Sequence, residues 1–310
     1  MSALLLHAGP VPVDELCQAL EAQLPDLSLR VWPEIGDPRD VEFALVSRVP
    51  HGVLQGLPNL RLVGSLHAGV DHLLRGSEWP ASVHLTRPIA RDGDPLMSEF
   101  ILTQVLMHHR DMPSYIAAQR EVRWKKLPPV PVRQRRVGFL GYGSMAAPAA
   151  ALLAQVGFDV MAWARRPWPA SAVTVLHGEE GLRSLLSRSD VLVNLLPLTP
   201  ETENILNARL LQQLPQGARL INVGRGEHLV EQDLLAALDS GRLSSATLDV
   251  FREEPLAPDS PLWRHPRIVV TPHACRSVDV ADVVAQFAAS VRRLRQGLAP
   301  LDLVDTRAGY

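Results

Sequence analysis

The stretch R-V-G-F-L-G-Y-G-S-M-A, Arg136–Ala146, decides how the chain is read. Val137–Leu140 is a short apolar run that predicts a strand, and Met145–Gln155 predicts a helix. Between them Gly141, Gly143 and Ala146 spell G-x-G-x-x-A in the strand–turn–helix setting that this motif needs. Gly141 permits the tight turn, Gly143 lets backbone approach a pyrophosphate, and Ala146 is small enough for the helix to pack closely on the strand. Tyr142, Ser144 and Met145 complete the turn, where free N–H groups and the positive end of the helix dipole face an incoming anion. The reading is a dinucleotide-binding turn. The alternative is an ordinary strand–helix turn that happens to use glycine.

The next strand, Asp159–Trp163, runs into A-R-R-P. Enzymes that prefer NAD place an acid near this point to hold the ribose 2′-hydroxyl. Here Ala164 is followed by Arg165 and Arg166, whose guanidiniums suit a 2′-phosphate, so NADP(H) is expected over NAD(H). Further strands are predicted at Val191–Leu196, Arg219–Val223, Ala246–Asp249 and Ile268–Val270, with helices around Leu182–Arg188, Ala208–Leu214 and Glu231–Ser240.

Upstream, Ala3–Ala8, Leu27–Trp32, Phe43–Val46, Leu62–Leu66 and Val83–Thr86 read as strands, and Val13, Leu16, Cys17, Leu20 and Leu24 recur at helical spacing. Strands alternating with helices imply parallel sheets covered on both faces, hence two α/β units. Glu99–Asp111 predicts a connecting helix that stops at Pro113, and L-P-P-V-P-V (Leu127–Val132) predicts a rigid extended connector. A last helix, Val278–Arg295, lies beyond the second sheet pattern and is free to pack on the first unit.

With 310 residues the chain has room for two domains, and 46% hydrophobic against 21% charged residues is the balance of a soluble globular protein. A net charge of −2 suggests neither nucleic acid nor a membrane surface as partner. Cys17 and Cys275 are too few for a disulfide framework and suit a reducing cytoplasm. No apolar run reaches the roughly 20 residues of a membrane span. The opening apolar stretch has no basic region before it and reads as a strand, not a signal peptide.

Three polar residues follow strand-like runs near the end of the chain. They are Arg225 in V-G-R-G, Glu254 in D-V-F-R-E-E-P-L and His273 in T-P-H. Each should project from a sheet rim. An arginine, an acid and a histidine gathered there can bind a carboxylate, polarise a carbonyl and move a proton. Glu253 competes with Glu254 for the acid's role, and the register D-V-F-x-x-E-P-L selects Glu254.

These motifs occur in order with L-H-A-G-V-D (Leu66–Asp71), V-N-L-L-P-L-T-P-E-T (Val193–Thr202), I-N-V-G-R-G (Ile221–Gly226) and L-L-A-A-L-D-S-G (Leu234–Gly241). Together they make the chain resemble the D-isomer-specific 2-hydroxyacid dehydrogenase family, and within it the glyoxylate/hydroxypyruvate reductase A subgroup, whose tail the closing R-A-G-Y (Arg307–Tyr310) also resembles. The resemblance implies two Rossmann- or flavodoxin-like domains with parallel sheets and an active cleft between them. Residues 1–100 with 280–310 would form the substrate domain and 101–279 the dinucleotide-binding domain. It implies a homodimer, with the segment Glu121–Lys126 around Trp124 as part of the dimer-forming arm.

Carried over residue by residue, the resemblance makes Arg225 the group that holds the substrate carboxylate and keto oxygen, His273 the general acid/base, and Glu254 its partner. Ala68, Gly69 and Val70 would offer backbone N–H groups to the carboxylate, and Leu196, Pro197, Val223 and Asp249 would lie along the cofactor, Asp249 near its nicotinamide end. The chain departs from the subgroup at Ser47, where a tryptophan is frequent at the substrate mouth. Ser47 would enlarge that pocket and Arg48 would meet a second anionic group, with two surface residues as the alternative. The implied reaction is NADPH-dependent reduction of glyoxylate to glycolate or hydroxypyruvate to D-glycerate, without a metal. The competing readings are a bulkier 2-keto acid in the same chemistry and, from another class, a dinucleotide-sensing protein without turnover.

Overall fold

Short apolar runs bounded by turn residues become the strands of two all-parallel sheets. The computed structural model describes every residue except Met1, His51, residues 76–78, Asp92, Ala170 and Tyr310, so the last residue of R-A-G-Y lies outside the described residues. The chain divides into two compact units, Met1–Ile89 with Val278–Tyr310, and Ala90–Ser277.

The first unit opens with β1 (Ala3–His7), α1 (Val13–Gln23), β2 (Ser28–Val31), β3 (Val41–Val46), β4 (Leu62–Ser65), the single turn α2 (Asp71–Leu74) and β5 (His84–Thr86). Its strands lie in the order β2-β1-β3-β4-β5, the flavodoxin-like arrangement.

The second unit contains α3 (Pro95–His109), α4 (Met112–Arg120), β6 (Arg136–Leu140), α5 (Ala146–Val156), β7 (Asp159–Ala164), β8 (Thr174–His177), α6 (Gly178–Arg188) and β9 (Val191–Asn194). It continues with α7 (Ala208–Leu211), β10 (Ala218–Asn222), α8 (Glu231–Asp239), β11 (Leu243–Leu248) and β12 (Ile268–Val270). The strand order β12-β11-β10-β9-β6-β7-β8 reverses direction between β6 and β9, which is the switch point where doubly wound sheets bind dinucleotides. The chain then returns to the first unit as α9 (Val280–Arg295), which packs on α1 and buries Phe287 and Val291 with Leu16 and Leu20.

Both faces of the second sheet are covered, so its central strands are apolar throughout. Leu192, Leu220 and Leu248 point into one core, and Val193 and Ile221 into the opposite one. Each such fully buried side chain contributes about 1.5–3 kcal/mol.

Two expectations need correction. Pro113 does not simply stop a helix. α3 ends at His109, Asp111 adopts the left-handed region (φ 55°), and Pro113 lies in the first turn of α4. A proline there costs nothing, because the N–H it lacks would have no helical partner. The second difference is β8, an edge strand with no predicted counterpart. Its burial is partial, so it lacks the continuous apolar run of a central strand.

Candidate active site

The G-x-G-x-x-A turn leaves β6 with Gly141 at φ 92°, in the left-handed region. A Cβ there would lie 2.9 Å from the Leu195 carbonyl oxygen, so only glycine fits the close pass of the segment after β9. A Cβ on Gly143 would meet nothing within 4 Å, so the backbone there faces open space. α5 begins at Ala146, and no side chain caps its first turn. Buried Tyr142 meets Trp168 edge to face at 5.3 Å. Arg165 and Arg166 are exposed directly after β7. An open glycine cradle at a helix start fits a pyrophosphate, and the two guanidiniums fit a 2′-phosphate.

The other chemistry sits at the same rim, beyond the carboxyl ends of β10, β11 and β12. Asn222, Leu248 and Val270 lie abreast in the sheet. Arg225 and His273 each stand three residues past this row, and Asp249 one residue past it. Arg225 is half-buried, and its Nη1 donates to the Gly224 carbonyl at 2.9 Å. His273 adopts φ 51°, uncommon for a residue with a side chain, while its N–H donates to the Asp249 carbonyl at 2.8 Å. Its Nδ1 lies 2.9 Å from Glu254 Oε2, and the other carboxylate oxygen accepts from the Phe251 N–H at 3.0 Å. The structure therefore selects Glu254 as the acid beside the histidine.

Asp249 is fully buried and holds the turn that carries His273. Its carboxylate accepts from Thr271 Oγ1 (2.6 Å) and from the N–H groups of Ala274 (2.8 Å) and Cys275 (3.1 Å). Burial pushes the Cys275 thiol far above its usual range, the Asp249 carboxylate adds to that rise, and Arg276 and Arg225 oppose it. The thiol is therefore a packing group and a poor nucleophile.

In the first unit, the loop between β4 and α2 carries Ala68, Gly69 and Val70. Its path is fixed from behind. Ser65 Oγ donates to the His67 carbonyl (2.8 Å) and accepts from the His67 N–H (3.0 Å), and Arg87 Nη1 donates to the Ala68 carbonyl (3.1 Å). Ser47 is buried, with its hydroxyl 2.8 Å from His67 Nε2, while its carbonyl accepts from His72 Nε2 at 2.9 Å. The alternative of two surface residues therefore holds for Arg48 and not for Ser47. The hydroxyl is engaged inside the unit, and half-buried His67 and exposed Arg48 are the residues that reach the surface.

A model of the family described as D-isomer specific 2-hydroxyacid dehydrogenase, NAD binding domain, matches residues 102–275. The chain belongs to this family. It is an NAD(P)-dependent oxidoreductase of that group. It is 38% identical over 302 residues to the glyoxylate/hydroxypyruvate reductase A of Serratia proteamaculans (strain 568), covering 96% of each chain. Among solved structures it is similar to a D-isomer specific 2-hydroxyacid dehydrogenase from Xanthobacter autotrophicus Py2 in complex with NADPH and MES. That match has a TM-score of 0.91 and 41% identity, covering 100% of this chain and 99% of the other. It is also similar to the NADPH-dependent glyoxylate/hydroxypyruvate reductase of Sinorhizobium meliloti in complex with NADP and sulfate, with a TM-score of 0.91 and 34% identity, covering 100% of both chains.

Behind the arginine turn of this 2-hydroxyacid dehydrogenase lies a buried polar network that sequence reading missed. Asn194, Asn222 and His228 are all fully buried. Asn194 Nδ2 donates to Asn222 Oδ1 (2.9 Å) and lies 2.9 Å from His228 Nδ1. Asn222 Nδ2 donates to the Arg225 carbonyl (3.1 Å), and the Leu196 N–H donates to Asn194 Oδ1 (3.3 Å). A signal existed in the two asparagines that interrupt otherwise apolar strand ends, V-L-V-N and L-I-N. A buried amide in such a place must find partners. Among the described residues, no group of three or more His, Cys, Asp or Glu is placed to hold a metal ion, and no helix is long and apolar enough to cross a membrane.

Proposed function

We propose that this dehydrogenase uses NADPH to reduce a small 2-keto acid, glyoxylate to glycolate or hydroxypyruvate to D-glycerate. The observation that carries this reading is the His273–Glu254 pair on the same sheet rim as Arg225. The reduced nicotinamide, when bound, supplies a hydride to the keto carbon. Arg225 pairs with the substrate carboxylate and with the keto oxygen, and so stabilises the negative charge that gathers there. His273 donates its Nε2 proton to that oxygen, while Nδ1 stays on Glu254 Oε2. The Phe251 N–H holds Oε1, so the carboxylate keeps Oε2 turned to the ring and stabilises the imidazolium. Asp249, through Thr271, Ala274 and Cys275, keeps the histidine turn in its strained conformation.

In this reading the first unit is the substrate domain, and the N–H groups of Ala68–Val70 take the carboxylate. The second unit is the cofactor domain. The turn Gly141–Met145 takes the pyrophosphate, Arg165 and Arg166 the 2′-phosphate, and Leu196, Pro197 and Val223 line the dinucleotide. The enzyme works in the cytoplasm as a homodimer. Val122 and Trp124 support that assembly, because both are almost wholly exposed, on a segment anchored by the Leu127 N–H donating to Tyr115 Oη at 3.0 Å. Large apolar side chains held out in water in this way mark a contact surface. Sedimentation equilibrium is expected to give twice the 34.0 kDa chain mass, and the chain mass itself would refute the dimer.

The deciding experiment follows loss of reduced-cofactor absorbance with NADPH or NADH and a panel of 2-keto acids. Faster turnover of NADPH with glyoxylate or hydroxypyruvate is expected. Activity restricted to bulkier acids would overturn the substrate assignment, and tight cofactor binding without turnover would overturn the reaction. Replacing Arg165 and Arg166 by alanine should weaken NADPH about 10- to 100-fold and leave NADH nearly unchanged. Equal losses for both cofactors would remove the arginines from 2′-phosphate recognition.

A further inference from the structure

His228 touches two turns at once. The Arg225 backbone N–H donates to its Nδ1 at 3.1 Å, so Nδ1 carries a lone pair. The single proton of the neutral ring is therefore on Nε2, which lies 3.2 Å from the Pro197 carbonyl and donates to it. Asn194 Nδ2 also points at Nδ1, consistent with that tautomer. The imidazole thus spans from the segment after β9, through Nε2, to the turn after β10, through the Nδ1 that Asn194 also meets.

The Arg225 turn has little freedom to be anywhere else. A Cβ on Gly224 would lie 2.8 Å from Asn194 Nδ2 and 3.0 Å from His228 Nδ1. A Cβ on Gly226 would collide with the backbone of Phe251 and Arg252, the segment that leads to Glu254. The turn is wedged between the His228 network and the acid's own loop, so its height above the sheet is set by what His228 holds. The network is fully buried, and its members bond one another and the backbone of both turns, which favours a single geometry.

We infer that His228 is a positioning residue that ties the Pro197 carbonyl to the Arg225 backbone, holding the cofactor-side strand end and the arginine turn as one piece. This rests on the proposed roles of Arg225 and Pro197. Its consequence is separable. Nδ1 serves the arginine, and Nε2 serves the segment along the cofactor.

Two conservative substitutions divide the ring accordingly. In H228N the side-chain amide can replace Nδ1 but cannot reach Pro197. In H228Q it can replace Nε2 and leaves the Arg225 N–H without its acceptor. H228Q is expected to lower kcat about tenfold with the NADPH dissociation constant unchanged. H228N is expected to raise that dissociation constant about fivefold to tenfold, with kcat at saturating NADPH within twofold of the parent. Quenching of tryptophan fluorescence by NADPH reads the binding step independently of turnover. H228L should show both losses, and if it does not fold the two polar variants decide the matter. Equal losses in both quantities for both polar variants, or no loss in either, would overturn the tie. R225A, measured alongside, keeps the two questions apart. If it turns over normally the reading of Arg225 itself fails. If it is inactive while the His228 losses do not divide, only the tie fails.

Discussion

Two buried histidines of the second unit show how the same chemistry serves different ends. His108, near the end of α3, has its Nδ1 2.8 Å from Ser245 Oγ and its Nε2 2.8 Å from Thr247 Oγ1. Thr247 donates its own proton to Gln104 Oε1, so Nε2 of His108 donates and Nδ1 accepts. His228 has the same tautomer and the same completeness of pairing. The difference is where the partners belong. Ser245 and Thr247 are side chains in the body of β11, so His108 fastens a helix to a sheet. His228 meets one side chain at a strand end, Asn194, but its two backbone partners, the Arg225 N–H and the Pro197 carbonyl, lie in turns beyond the strands, so it shapes the rim where chemistry occurs. A buried polar network stabilises the fold or positions a site according to whether its far ends lie within strands or past them.

Exposed His273, at the rim that His228 shapes, carries the largest expected effect. His273→Gln should lower turnover by about 10²–10⁴-fold with NADPH binding and the melting temperature nearly unchanged. Normal turnover would remove His273 from the proton step. His108→Leu should do the reverse. It strands the Ser245 hydroxyl and removes the donor to Thr247, costing about 2–4 kcal/mol in urea unfolding. The activity of the folded fraction should stay within about twofold. A large fall in kcat without loss of stability would break the distinction drawn here.

Acid should reveal His108 as well. Burial, and secondarily the charge of Arg219, lowers its folded-state pKa to about 3 from an ordinary 6.5. Because the folded value is depressed, the unfolded chain takes up the proton first. Stability is full above the ordinary value and is lost as the pH falls below it. Between pH 6.5 and about pH 5 this group alone should cost roughly 2 kcal/mol, a dependence that H108L should lack. The smallest effect is expected at Cys275. Its buried, high-pKa thiol should resist alkylation in the folded protein, and Cys275→Ala should change kcat less than about twofold. Rapid labelling of Cys275 in the native enzyme would contradict its burial.

The elements that were legible in the sequence share one property, that their signal is local. The G-x-G-x-x-A turn, the apolar strands and the residues Arg225, Glu254 and His273 at strand ends are each carried by a few neighbouring positions. β8 was not legible because a half-buried edge strand needs no strong apolar pattern. α4 was hidden by Pro113, which sequence rules read as a stop and the fold uses as a start. Asn194, Asn222 and His228 escaped because the bonds between Asn194 and its partners span 28 and 34 residues of chain.

What the sequence by itself determined is the doubly wound second unit, the dinucleotide turn and the residue types at the reactive rim. Periodicity and turn chemistry are properties of short stretches, and they need no tertiary context to be expressed. Tertiary structure alone decided the rest. It set Glu254 Oε2 against His273 Nδ1, pushed His273 into a left-handed turn around the buried Asp249, closed Ser47 onto His67, and placed one imidazole between Pro197 and Arg225. Each of these depends on strands far apart in sequence lying side by side, where burial away from water obliges every polar group to find the partner that packing brings to it.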